Sequence, residues 1–131
     1  MALTFNEATR ALLDGKNFPV LATLNKDGSA QTSVLWAKRD GDTLIFATVR
    51  GRLKERNMTR DPRVSVSVFD QDDPYSYVEI RGRAELTDEG GRELIDELSH
   101  KYLGKPYPEE PPEVVRVLVR VIPEKIVGNA A

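Results

Sequence analysis

Ile45-Phe46-Ala47-Thr48-Val49-Arg50-Gly51-Arg52-Leu53-Lys54-Glu55-Arg56-Asn57-Met58-Thr59-Arg60-Asp61-Pro62 reads as a β-strand that turns sharply at Gly51 and continues as about two turns of helix. Pro62 ends the helix, because a proline disfavours helical backbone in the residue before it. Between Arg50 and Arg63 six basic residues stand against two acids, Glu55 and Asp61, a local +4 in a chain of formal net charge -2. Positive potential is therefore focused at one place on an acidic protein, and such a focus attracts an anion. Free backbone N–H groups and the positive end of the helix converge at the same point, and Gly51 lets the backbone approach closely. A solvated helix face with Arg52, Arg56 and Arg60 at four-residue spacing accounts for the charge equally well.

On either side of this stretch the pattern is that of strands. Phe18 to Leu24 is a strand, Asn25-Lys26-Asp27-Gly28 supplies turn chemistry, and Ala30 to Ala37 returns as the second arm of a hairpin. Asp40-Gly41-Asp42 turns the chain into a third strand, Thr43 to Thr48, so the first three strands are expected to form an antiparallel meander. Val64, Val66 and Val68 alternate with Ser65 and Ser67, a period of two that buries one face. Tyr75 to Leu86 alternates likewise, with Gly82 marking a bulge or bend. The last strand, Val114 to Ile122, sets valines against Arg116, Leu118 and Arg120, whose two arginines are expected on the surface, a salt-bridged face and plain solvent exposure accounting for them equally well.

Two helices flank the strands. Thr4-Phe5-Asn6-Glu7 fits a capping box with Thr4 as N-cap, opening a short lid helix that ends at Gly15. Thr87-Asp88-Glu89 is the expected cap of a longer helix with Leu94, Ile95 and Leu98 on its apolar side, running to about Tyr102 before Gly104. Lys105 to Pro112 is too proline-rich for regular structure and is expected to be an exposed loop. About six strands with helices at their joints predict one domain over residues 1–131, mainly β, closed as a small antiparallel barrel.

Composition removes several chemistries. The chain has no cysteine, which excludes disulfides, thiolate metal sites and thiol nucleophiles together. Its single histidine, His100, precludes a histidine metal cluster and sits in no triad motif. No metal site is expected, and any chemistry is expected to reside in a bound cofactor. No apolar run nears the roughly 20 residues of a membrane helix, and the start Met-Ala-Leu-Thr-Phe-Asn-Glu lacks a basic leader and apolar core, so the expected compartment is the cytoplasm with no membrane partner.

Pro19 to Leu24, Asp27-Gly28, Gln31 to Trp36, Arg52 to Asn57, Arg60 to Val64 and Tyr75 to Gly82, in that order and spacing, resemble the pyridoxamine 5'-phosphate oxidase-like split-barrel superfamily, most closely its deazaflavin (coenzyme F420)-dependent reductases. The resemblance runs from about Leu12 to Gly128. It implies a split antiparallel β-barrel that works as a homodimer, with cofactor sites lined by both subunits. It implies that Arg52 and Lys54 bind the cofactor phosphate, with Thr48 and Arg50 beside them, and that Ala47 and Asn57 also belong to the cofactor site. Gln31 to Trp36 would lie along the tricyclic ring, Ser33 and the backbone of Val34, Leu35 and Trp36 facing its pyrimidine edge, while Trp36 either walls the pocket or is a barrel-face aromatic. Tyr75, Tyr77 and Val78 would approach from the partner subunit.

The activity this implies is hydride transfer from reduced F420 to a conjugated small molecule, such as a tetrapyrrole like biliverdin or a quinone; no catalytic side chain is singled out. Arg50, Arg56 and Arg60 would accompany the anionic tail of a deazaflavin. The alternatives are an FMN-dependent oxidase or reductase on the same fold, and, in another class, a cofactor-binding or storage protein without turnover. Nucleic acid is not expected as a partner, given the net -2 charge and one basic cluster.

Overall fold

The computed structural model describes residues 3–131; Met1 and Ala2, part of the amino-terminal stretch read above for a leader, lie outside them. Among the described residues the order of elements is α1 (Glu7–Asp14), β1 (Val20–Leu24), β2 (Ala30–Val34), β3 (Lys38–Asp40), β4 (Thr43–Val49), α2 (Leu53–Arg60), β5 (Arg63–Phe69), β6 (Tyr77–Thr87), α3 (Gly91–Leu103) and β7 (Arg116–Val127). All seven strands join one antiparallel sheet in the order β2-β1-β5-β6-β7-β4-β3.

That order forces the shape. β2 and β3 stand at opposite ends of the sheet, yet only Leu35, Trp36 and Ala37 connect them. Four Cα steps reach at most ~14 Å. Six spacings of ~4.8 Å would hold the edges of a flat sheet ~29 Å apart. The sheet therefore curls until its edges nearly meet, which is the split barrel expected. The expected meander is not formed. β2 stops at Val34, and the next residues cross to the other edge, where β3 pairs with β4 through Lys38 and Ile45. Side-chain alternation reports a strand's faces but not its partner, so the change of edge was invisible in it.

The curled sheet makes two apolar layers. Phe46 points into the barrel with Leu21, Val66, Ile80 and Val119, closed at one side by Leu12 and Leu13 of α1 and by Met58 of α2. Its neighbours Ile45 and Ala47 point outward, where Leu94, Leu98 and Tyr102 of α3 cover them. Each of these fully buried aliphatics stabilises the fold by about 1.5–3 kcal/mol before entropy is counted. The valines of β5 and the alternation of β6 bury as expected, and the register shifts between Arg81 and Gly82. A Cβ on Gly82 would lie 2.0 Å from the Ile122 carbonyl oxygen. β7 continues past Ile122 to Val127, its Pro123 standing opposite Gly82 at this irregularity.

Helix starts differ from the expected ones. α1 is capped by Asn6, whose Oδ1 accepts the Thr9 N–H at 2.8 Å. Thr4 and Phe5 precede the helix, because Phe5 is buried in the core and its N–H is held by Asp42. α3 starts after Gly90, at φ +85°, while Thr87 Oγ1 accepts the Glu89 N–H in the turn before it. Tyr102 and Leu103 end it at Gly104, in the left-handed region. His100 is exposed on α3, 3.6 Å from Asp96. Among the described residues no helix is long and apolar enough to cross a membrane.

One expectation about the surface changes. Arg120 pairs with Asp40 as expected, but Arg116 is only 8% exposed. It is covered by residues 105–112, which form an irregular and mostly exposed loop as expected but turn Tyr107 and Glu110 inward. The segment is bolted to α3: Asp96 accepts the Tyr107 N–H, and Ser99 donates to the Lys105 carbonyl.

Candidate functional site

Six segments meet on the outer face of the barrel. The end of β2 and the crossover contribute Val34, Leu35 and Trp36, β4 contributes Ala47, and the start of α2 contributes Arg52 and Lys54; Ile95 of α3, Tyr107 and Arg116 of β7 complete the lining. Together they line an open cavity of about 180 Å³. Three of these nine residues are cations and none is a carboxylate.

The strand-to-helix junction explains the charge. Gly51 turns at φ +98°, and Arg52 serves as N-cap with no side-chain bond to the helix start. The N–H groups of Leu53, Lys54 and Glu55 thus have no side-chain cap, the condition under which a helix start receives an anion. Glu55 does not neutralise the cavity. Buried beneath the turn, it accepts from Gly51 N–H at 2.6 Å and Thr59 Oγ1 at 2.8 Å. Burial alone would raise its pKa, but these bonds with Arg50 and Arg56 hold it below the ordinary carboxylate value.

Lys54 is half-buried, and its Nζ donates to Ser33 Oγ at 3.1 Å. Loss of solvent, then the neighbouring Arg52 and Arg116, push its pKa below the ordinary 10.5. An ammonium so placed is short of a counterion. Trp36 stacks on Tyr102, rings 5.6 Å apart and 8° from parallel, and meets Tyr107 edge-on at 6.3 Å. Tyr102 is itself fixed by donating to the Asn17 carbonyl at 2.6 Å. The aromatic wall is therefore rigid.

Of the residues that the resemblance implied for the cofactor site, Ser33, Val34, Leu35, Trp36, Ala47, Arg52 and Lys54 lie together. The others go elsewhere. Thr48 alternates away from Ala47 into the barrel, and its Oγ1 is buried without a partner. Arg50 pairs with Glu55 and Asp88. Asn57 is buried in a network in which its Nδ2 donates to Thr23 and Asn25 and its Oδ1 accepts from Arg60. Arg60 also donates to the Leu24 carbonyl, and with Arg56 it lines a separate cleft beside Asn25–Asp27. Val78 is in the core, while Tyr75 and Tyr77 are exposed near Phe69 and line no part of the cavity. A further hollow near Arg63 and Arg81 offers no unpaired cation, since Asp61 and Glu79 hold them.

Ile95, Tyr107 and Arg116 were missed. Arg116 interrupts a run of valines, and Tyr107 stands between Pro106 and Pro108, an aromatic on a stiffened backbone. Those were the available signals.

The sequence matches the pyridoxamine 5'-phosphate oxidase family over residues 5–129. A solved F420 reductase is 32% identical, with a TM-score of 0.81 over 90% of this chain and 94% of its own. The conserved hypothetical protein Rv2991 from Mycobacterium tuberculosis is 24% identical, with a TM-score of 0.76 over 95% of this chain and 84% of that one. General Stress Protein 26 from Bacillus anthracis is 22% identical, with a TM-score of 0.71 over 92% and 89%. The last two resemble this chain in fold.

Proposed function

The chain belongs to the pyridoxamine 5'-phosphate oxidase family of split barrels, and from that premise we propose that it is a cytoplasmic, homodimeric F420-dependent oxidoreductase acting on a conjugated small-molecule acceptor. The observation that carries the proposal is the carboxylate-free cavity in which Arg52 and Lys54 meet an uncapped helix start beside Trp36. Its donors suit a phosphate, which needs several charge-assisted N–H bonds fixed in geometry. The under-solvated Lys54 ammonium suits it for the same reason.

When bound, the reduced deazaflavin supplies the hydride. The protein's part is to hold and to shield. Arg52, Lys54 and the first N–H groups of α2 would hold the phosphate. Ser33 and the backbone from Val34 to Trp36 would orient the ring edge, and Trp36, Ile95 and Tyr107 would keep water from it. A cavity of about 180 Å³ falls short of the roughly 300 Å³ at which small-molecule sites begin. One chain thus offers the anion-binding end and one wall. A second subunit would close the site, with the exposed Tyr75 and Tyr77 available to it.

The preference for deazaflavin over FMN rests on similarity to the F420 reductase. It does not rest on Arg50 or Arg60, which are engaged by Glu55, Asp88 and the Leu24 carbonyl. Titration of the cofactor-free protein with F420 and with FMN, followed by quenching of Trp36 and by calorimetry, tests the proposal. F420 is expected to bind more tightly and to support reduction of quinones or tetrapyrroles. Tighter FMN binding would make this a flavin enzyme, binding without turnover a carrier, and absence of both would remove the assignment.

A further inference from the structure

The third cation of the cavity, Arg116, is held in a way that a simple ion pair does not require. Its Nε donates to both oxygens of Glu110, at 3.0 and 3.1 Å, and its Nη2 donates to Tyr107 Oη at 3.0 Å. Its guanidinium and that of Arg92 both lie against the Tyr107 ring, 5.1 and 5.5 Å from the centroid. Its backbone is pinned as well: a Cβ on Gly91 would fall 2.4 Å from the Arg116 carbonyl oxygen, so α3 starts directly upon it. Nη1 alone has no hydrogen-bond partner among the described residues. Since Thr48 Oγ1 is the one side-chain polar atom there that is both sealed and unpartnered, Nη1 is not fully sealed, although the Arg116 side chain as a whole is buried.

A guanidinium has five N–H donors in a fixed fork, and here Nη1 offers two of them from a residue that lines a cavity without carboxylates. Most of its motion has already been removed, so an incoming anion would not have to order it. We propose that Arg116 is a third ligand of the cofactor's phosphate, presented through Nη1 by two positioning residues, Glu110 and Tyr107. This inference rests on the cofactor reading above. It assigns a binding role to the start of β7 and makes the proline-rich segment part of the site.

The test compares FMN with riboflavin, which differ only in the phosphate, and, as a second pair, F420 with its deazariboflavin chromophore, which lacks the phosphate and the anionic tail beyond it, each titrated calorimetrically into the full-length protein; the first pair decides the phosphate's share. Arg116→Gln is expected to weaken the phosphate-bearing ligands at least tenfold while changing the phosphate-free ones less than about twofold. Arg116→Lys, which keeps the charge without the fork and preserves folding should the glutamine variant not fold, is expected to weaken them about threefold or more. Tyr107→Phe, which removes the acceptor that orients Nη2, is expected to weaken them about threefold with the phosphate-free ligands unchanged. Equal losses for both kinds of ligand, or undiminished phosphate affinity in the lysine variant, would show Arg116 to be a wall of the cavity and overturn the inference alone. Failure of the unsubstituted protein to bind either phosphate-bearing cofactor would overturn the cofactor reading and this inference with it.

Discussion

Replacing Lys54 by methionine should separate stability from binding. In the free protein its ammonium is half-buried, lies near Arg52 and Arg116, and has one neutral partner, Ser33. Burial first and the two guanidinium groups second depress its pKa, so the charged form is held at a cost. Methionine keeps the apolar stem and deletes that charge. Thermal stability of the cofactor-free protein should therefore stay level or rise, by at most about 1 kcal/mol or roughly 3 °C in Tm. Affinity should move the other way. A hydrogen bond to a charged group contributes about 1.5–3 kcal/mol, and at about 1.4 kcal/mol per decade this predicts a Kd for F420 raised roughly 10- to 150-fold. The pH dependence follows with the same sign. Between the depressed pKa and 10.5 the unfolded chain binds more protons at Lys54 than the folded one, so its contribution to stability rises with pH across that window. A bound anion raises the pKa again, so affinity should fall as pH climbs through the window, and the methionine variant should lack that fall. Differential scanning fluorimetry without cofactor and calorimetric titration with it measure both. A Tm loss beyond about 5 °C, or a Kd changed less than threefold, would refute the account of Lys54 as an anion ligand.

Glu55 should govern acid stability at the same junction: its folded pKa is depressed, so its contribution is complete above the ordinary 4.5 and disappears as pH falls through the folded value. Glu55→Gln should be less stable at neutral pH and show a flatter loss of stability below about pH 4.5, which urea titrations at several pH values will reveal. Asn57→Ala should cost about 2–3 kcal/mol by leaving Thr23, Asn25 and Arg60 without a buried partner, with cofactor Kd unchanged for the folded fraction; a selective loss of affinity at intact Tm would instead make Asn57 a ligand. Gly82→Ala should destabilise by more than about 2 kcal/mol, because its Cβ would meet backbone at 2.0 Å with no flexible side chain to yield. A melting temperature within about 2 °C of the parent would contradict the close approach of β6 and β7.

What the amino-acid sequence determined by itself was local and periodic. The alternation of Val64, Val66 and Val68, the turn at Gly51, the stop at Asp61-Pro62 and the glycine bulge at residue 82 all reappear in place, because each depends on neighbours within a few residues. The charge focus at Arg52 and Lys54 was legible for the same reason. Choices between adjacent caps were not: Asn6 displaces Thr4 only because Phe5 must reach the core, and Gly90 displaces Thr87 only because Gly91 must touch β7. Strand partnership was decided by tertiary structure, which sends β2 and β3 to opposite edges and then curls the sheet across the three residues between them. That curl carries Trp36 to Lys54, turns Thr48 and Asn57 inward, and lets α3 hold Tyr107 against Arg116. Residues 21 and 80 positions apart in the chain cannot announce their contact through any local period, whereas a three-residue link between distant sheet edges leaves them no other arrangement.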